Sequence, residues 1–227
     1  HDFKAVKKLI EMSRTRNTIK NRITSVLVAL SAEPKKDDDL IERYQVWLKD
    51  VMAKHQKELD SQEMTKTQSD NWLSFDDVKK VLNTMLTEIK EKDLWKKKNL
   101  KKSEYSLVQK WVILAFYLSN PMRNDTANVR ILTPTEHKKL SDKDKDENNY
   151  LVVDKDKMTF YLSVFKNVAR IGKKVIVLKP NIVRILKRWF KINTSGWLFT
   201  LSNGLEPISP NGITKLMNSI FKQYSNK

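Results

Sequence analysis

The stretch YSLVQKWVILAFYLS at 105–119 is apolar nearly all round. A helix lying on a protein surface needs only one apolar stripe, so a segment like this must be enclosed by the rest of its own chain or by lipid. Its longest unbroken apolar run, WVILAFYL at 111–118, has eight residues, far below the roughly 20 needed to cross a bilayer. The segment therefore predicts the central helix of a globular core in a soluble protein. At 227 residues, the chain is long enough to bury roughly 70% of the surface of its unfolded form, in one core or two.

Helical spacing dominates the residues before this segment. In TIKNRITSVLVAL the apolar positions are Ile19, Ile23, Val26, Leu27 and Leu30, and the run stops at the acidic loop SAEPKKDDD. A second helix, from near Asp39, carries Leu40, Tyr44, Trp47, Leu48, Val51 and Met52 on one face. TKTQSDNWLS is polar apart from Trp72 and Leu73. Ser74, with Asp77 three residues on, then caps a helix with Phe75, Val78, Val81, Leu82, Met85 and Ile89 on its apolar side. Residues 1–95 are expected to form a bundle of about four helices, with Trp72 and Trp95 as core residues. KKKNLKKSE at 96–104, with five lysines in nine residues, reads as a basic linker.

After the central helix, Asn120-Pro121 is a stop signal. From 150 the period changes. YLVV, MTFYLSVF and KKVIVL are short, rich in β-branched and aromatic residues, and separated by DKDK and NVARIG. They predict a three-stranded antiparallel meander. A helix follows in NIVRILKRWFKI, and a last one starts at Ser209-Pro210 with Ile213, Leu216, Met217, Ile220 and Phe221 as its stripe. The charged stretches at 35–39 and 137–147 read as loops. The expected fold class is mainly α with a small antiparallel sheet, α+β, with 105–227 as the second, mixed domain.

Charge narrows the function. Residues 1–100 carry 21 basic and 17 acidic side chains, and 101–227 carry 23 and 10, so most of the net +17 belongs to the second half. Such an excess attracts polyanions, and nucleic acid is the commonest large one. The chain has no cysteine, which excludes disulfides, thiolate metal sites and thiol nucleophiles and fits an intracellular protein. His1, His55 and His137 are scattered, and the four glycines form no phosphate loop. Asp37, Asp38 and Asp39 suit a solvated helix start better than a metal cluster. No cofactor is expected.

The residues left for chemistry are basic. Arg123 follows a buried helix and a proline, so its guanidinium sits at a rigid junction where it could grip a phosphate or pair with Asp125. Lys166 stands at a predicted strand end before a turn, either as a proton donor in a cleft or as a solvated hairpin lysine. Tyr224 reads as an ordinary tyrosine at a helix end.

The order of these parts resembles the tyrosine recombinase (phage-integrase-like) family: a helical domain, a basic linker, a buried helix, Pro-x-Arg-x-Asp, then a meander with a lysine at its second turn. TIKNRITSVLVAL and TKTQSDNWLS look like the core-binding domains of recombinases from large DNA viruses and mobile elements. SNPMRNDTANVRIL looks like the segment bearing the first catalytic arginine, which implies Arg123 with Asp125 in support. SVFKNVARIGKKVIVL resembles the hairpin bearing the catalytic lysine, which implies Lys166, with Gly172 at the turn. The resemblance implies a core-binding domain and a catalytic domain that clamp double-stranded DNA. It also implies strand exchange through a 3′-phosphotyrosyl intermediate without a cofactor, by a tetramer on DNA, wherever viral or mobile-element DNA is processed.

One departure stands out. The family's second arginine, flanked by histidines, and the tyrosine after it have no counterpart, since no histidine follows His137 and no arginine follows Gly204. The expectation is a recombinase fragment truncated at its C-terminus, which binds DNA without forming an adduct. A non-catalytic DNA-binding protein on the same fold and a type IB topoisomerase are the alternatives. Expected DNA contacts are Lys20 and Arg22 beside the first predicted helix, Lys66, Gln68 and Asn71 in the polar segment, and Arg170, Lys173 and Lys174 on the hairpin. Most such contacts go to phosphates, which position the protein without reading sequence.

Overall fold

The structure, a computed structural model, describes residues 2–225. The chain forms two compact units, with the boundary between Trp72 and Leu73.

The first unit is helical. Helix α1 (Phe3–Glu11), which the sequence reading did not anticipate, starts on Asp2, whose carboxylate accepts the Lys4 and Ala5 N–H groups. Phe3, Val6 and Ile10 fall on one face and pack into the core of this unit. Helix α2 (Arg16–Ala32) is capped by Thr15. Helix α3 (Asp38–Asp60) is capped by Asp37, with Asp38 and Asp39 in its first turn, so the acidic run is a helix start where the helix dipole favours negative charge. Ile23, Leu30, Leu40, Tyr44, Trp47 and Val51 complete the core. Helix α4 (Lys66–Asp70) is a single turn closed by a Thr65/Gln68 capping box and buries nothing. Trp72, expected in a core, is 58% exposed.

The second unit is built around the helix its sequence singled out. Helix α5 (Phe75–Glu91) lies against α6 (Lys102–Ser119), and α6 buries every residue from Leu107 to Phe116 except the half-buried Lys110. Val81, Met85 and Ile89 of α5 share the α6 core, as does Leu94, while Trp95 and Leu100 pack against it. This moves the division from residue 95 to residue 72. The apolar stripe of α5 needs a partner, and α6 supplies it. The lysine-rich stretch 96–104 is thus a loop and the first turn of α6 on the second unit, pinned by the Lys97–Glu104 ion pair at 2.7 Å, and not a linker between domains.

The sheet has four strands, not three. Strands β1 (Arg130–Leu132), β2 (Tyr150–Asp154), β3 (Lys157–Leu162) and β4 (Lys174–Val177) stand in that order. β2, β3 and β4 form the expected antiparallel meander, and β1 adds a parallel edge, with Arg130 opposite Tyr150. Three residues followed closely by Pro134 leave little strand signal, which is why β1 escapes the sequence reading. The charged stretch after it folds into two short helices, α7 (Pro134–Lys139) on a Thr133/Glu136 capping box and α8 (Asp142–Glu147) capped by Ser141. After β3 comes the single-turn helix α9 (Val168–Ile171), and after β4 come α10 (Pro180–Trp189) and α11 (Pro210–Tyr224). Met158, Phe160 and Leu162 of β3 point into the core that also holds Phe116, Trp189 and Phe199. The architecture is α+β, mainly helical with a small mixed sheet.

Candidate functional site

Helix α6 ends at Ser119, and Asn120-Pro121 turns the chain into a 3-10 turn, Asn124–Thr126. Three side chains fasten this turn. The Tyr117 hydroxyl donates to the Arg123 carbonyl at 3.1 Å and shares a 2.9 Å hydrogen bond with the Thr126 hydroxyl. The Asn124 amide donates to Thr214 Oγ1 at 2.7 Å and to the Pro210 carbonyl at 3.0 Å, both in the first turns of α11. The Asn149 amide donates to the Asp125 carbonyl at 3.3 Å. Arg123 therefore leaves a backbone held from three directions.

Lys166 is not at a strand end, as the sequence suggested, because β3 stops at Leu162. The N–H groups of Ser163 and Val164 donate to Asn149 Oδ1, at 2.9 and 2.8 Å, instead of to a neighbouring strand. The chain then turns through Phe165–Asn167, with Lys166 at the turn, and Gly172 (φ 73°, ψ 174°) ends the short helix α9 that follows.

Arg123, Asp125, Lys166 and Lys174 line one cleft of about 220 Å³, walled by Pro121, Met122, Leu162, Phe165, Ile171 and Ile176. Lys174 belongs there because it pairs with Leu162 across the β3–β4 ladder and shares its inward face, whereas Val175 and Val177 face the other side and are exposed. Among the described residues, the Arg123 guanidinium and the Lys166 and Lys174 ammonium groups have no hydrogen bond or ion pair. Of the two readings of Arg123, a salt bridge to Asp125 is not formed. Asp125 nevertheless senses the guanidinium: burial pushes its carboxyl up, and Arg123 opposes the shift. Three free cations around one half-buried carboxylate, over apolar walls, give a site that attracts an anion such as a phosphate.

The other predicted contacts fall elsewhere. Arg170, next to the cleft in sequence, is exposed on α9 and has no hydrogen bond or ion pair among the described residues, but Lys173 pairs with Asp146 of α8. Lys20 and Arg22 lie within α2, not beside a helix, and Arg22 donates to Ser13 Oγ at 2.9 Å. Lys66 and Gln68 are on α4 and Asn71 is its C-cap; the Gln68 side-chain oxygen serves the capping box and the Asn71 amide donates to the Thr67 carbonyl at 2.7 Å. These five residues belong to the first unit. The first unit also holds a larger groove, about 600 Å³, whose walls carry Asp39, Glu42 and Asp50 against Lys7 and Arg43, a net negative lining that disfavours a phosphate.

Tyr224 stands apart from the cleft. Its hydroxyl donates to Glu88 Oε2 at 2.6 Å, and burial together with that carboxylate pushes the hydroxyl's pKa up. Among the described residues, no tyrosine lines the cleft. Sequence reasoning passed over Asn149 and Tyr117. Asn149 sits in ENNY beside a charged run, where asparagine usually signals a turn. Among the described residues, no group of three or more His, Cys, Asp or Glu side chains is placed to hold a metal ion, and no helix is long and apolar enough to cross a membrane. Comparison with protein-family models and with curated proteins finds no match to this chain.

Proposed function

We propose that this chain binds double-stranded DNA and that the cleft of Arg123 and Lys166 receives one backbone phosphate, as the charge-stabilising part of a tyrosine recombinase or integrase site. The observation that carries the reading is that two cations far apart in the chain line one cleft, and that neither is hydrogen-bonded or ion-paired among the described residues.

The chemistry suits them. When a tyrosine hydroxyl attacks a phosphodiester and releases its proton to solvent, negative charge grows on the nonbridging oxygens, and a guanidinium held by a fixed backbone stabilises it without reorganising. The departing 5′ oxygen takes up a proton, which the Lys166 ammonium can give. The enzyme is left as a 3′-phosphotyrosyl ester, and attack by a 5′ hydroxyl reverses the step and rejoins the strand. Asp125 supports the site through its charge beside Arg123. By this reading, the protein self-associates on DNA.

The commitment of Tyr224 to Glu88 favours binding without cutting for the chain as it stands. Mixed with a nicked duplex that traps phosphotyrosyl intermediates, the chain is expected to shift the duplex on a native gel and to leave no denaturation-resistant adduct. Arg123→Ala and Lys166→Ala should each weaken the shift several-fold. An adduct would mean that a tyrosine reaches the cleft, and unchanged affinity in both variants would remove the cleft from the binding surface. A type IB topoisomerase would differ in relaxing supercoiled plasmid as a monomer without a preferred site.

A further inference from the structure

Arg123 and Lys166 belong to different arms of the chain, one leaving α6 and one leaving β3, and a single side chain bridges the two. Asn149, 9% exposed, uses its full hydrogen-bonding capacity in doing so. Its Nδ2 donates to the Asp125 carbonyl at 3.3 Å and to the Val164 carbonyl at 2.8 Å. Its Oδ1 accepts the N–H groups of Ser163 at 2.9 Å and Val164 at 2.8 Å. Two donors on one side and two acceptors on the other are the signature of a carboxamide. Aspartate would face two carbonyl oxygens with a carboxylate, and an aliphatic residue would strand buried backbone groups.

Resting on the proposed function, we infer that Asn149 is the positioning residue of the cleft: its amide sets the distance between Arg123 and Lys166 so that both can grip one phosphate. It touches no substrate. Two cations on independently moving arms bind a phosphate as two weak points, whereas two cations fixed at one spacing act together, because the ordering cost is met in the fold. The same bridge explains why β3 stops at Leu162. The N–H groups of the next two residues, Ser163 and Val164, go to Asn149 instead of extending the ladder, which frees the chain to turn and present Lys166.

The test is a titration of the full chain with inorganic phosphate, followed by the backbone amide resonances of Arg123, Asn124, Lys166 and Asn167. Arg123→Ala and Lys166→Ala are measured alone and together, with and without Asn149→Ala. With Asn149 in place, the two single losses should be non-additive, the double variant being only slightly worse than either. Asn149→Ala alone should weaken phosphate binding about tenfold, on the scale of one charge-assisted contact, and make the two losses additive. A loss of stability alone would not remove that coupling while the variant remains folded. Unchanged affinity and coupling in Asn149→Ala would overturn the inference.

A second measurement needs no variant. Coupling is reciprocal, so saturating phosphate should slow hydrogen exchange at the Ser163 and Val164 amides while leaving amides of α3 unchanged. No slowing would also overturn it. If phosphate fails to perturb the cleft of the unaltered chain, the functional reading itself fails, and the inference with it. That result is distinct from a cleft that binds normally without Asn149.

Discussion

The hydroxyl of Tyr224 and the carboxylate of Glu88 meet at 2.6 Å, fastening the end of α11 to α5. Lys92 holds the Glu88 carboxyl below its usual range, and Tyr224 adds to the effect. The bond is thus anchored by a charge, and hydrogen bonds to charged groups contribute about 1.5–3 kcal/mol where they are well buried. Because this one is only partly buried, Tyr224→Phe should lower unfolding free energy by about 1 kcal/mol. The raised pKa of Tyr224 gives stability that is complete below its unfolded value of 10.0 and is lost as pH rises through the folded value. Melting curves from pH 8 to 11 should therefore converge between Tyr224→Phe and the unaltered chain at the alkaline end. DNA affinity should not change, and a large loss would tie α11 to DNA binding.

Salt sensitivity tests how much of the +17 charge meets DNA. If about eight phosphates are neutralised, log affinity should fall with log salt at a slope of about −7. Arg123→Ala should reduce that slope by about 1. A slope near −2 for the unaltered chain would assign most of the charge to solubility.

Gly172 occupies φ 73° and ψ 174°, a region essentially closed to other residues. An added Cβ would meet nothing within 4 Å, so the cost of Gly172→Ala is backbone strain alone. Chemical denaturation should show a loss of about 1–3 kcal/mol. The strain falls between Lys166 and Lys174, so DNA affinity should drop as well. Gly196→Ala, at φ 79° and equally open, is the control. It should lose stability and keep DNA affinity, and a variant pair that behaves alike on DNA would detach Gly172 from the cleft.

Much of this site is local in sequence and therefore legible. The all-round apolar character of α6 marks a buried helix, the proline after it marks a fixed exit, and Arg123 follows two residues later. Alternation in MTFYL marks β3, and a lysine beyond it marks a turn. What could not be read is pairing at long range. The stripe of α5 shows that it packs, but not that its partner is α6 instead of α3, and so sequence alone points to a boundary near 95 instead of 72. Lys173 and Lys174 look alike in sequence, yet one pairs with Asp146 and the other lines the cleft. Asn149 is the strongest case. Its role exists only once Asp125 and Val164 are brought to either side of it.

Asp125 is a half-buried carboxyl whose oxygens receive no hydrogen bond among the described residues. Burial raises its pKa, and the Arg123 guanidinium offsets only part of the effect. A folded-state pKa above the unfolded value of about 3.9 means that the group favours folding at acid pH and opposes it as pH rises through the folded pKa. At neutral pH the ionised carboxylate is therefore a net liability to stability, kept for the field that it exerts on Arg123. Asp125→Asn preserves shape and removes the charge, so its melting temperature at pH 7 should exceed that of the unaltered chain. The gap should close as pH falls below about 4, where the native carboxyl is protonated too. A lower melting temperature for Asp125→Asn at pH 7 would mean that the charge of Asp125 stabilises the fold, and that Arg123 compensates its burial in full.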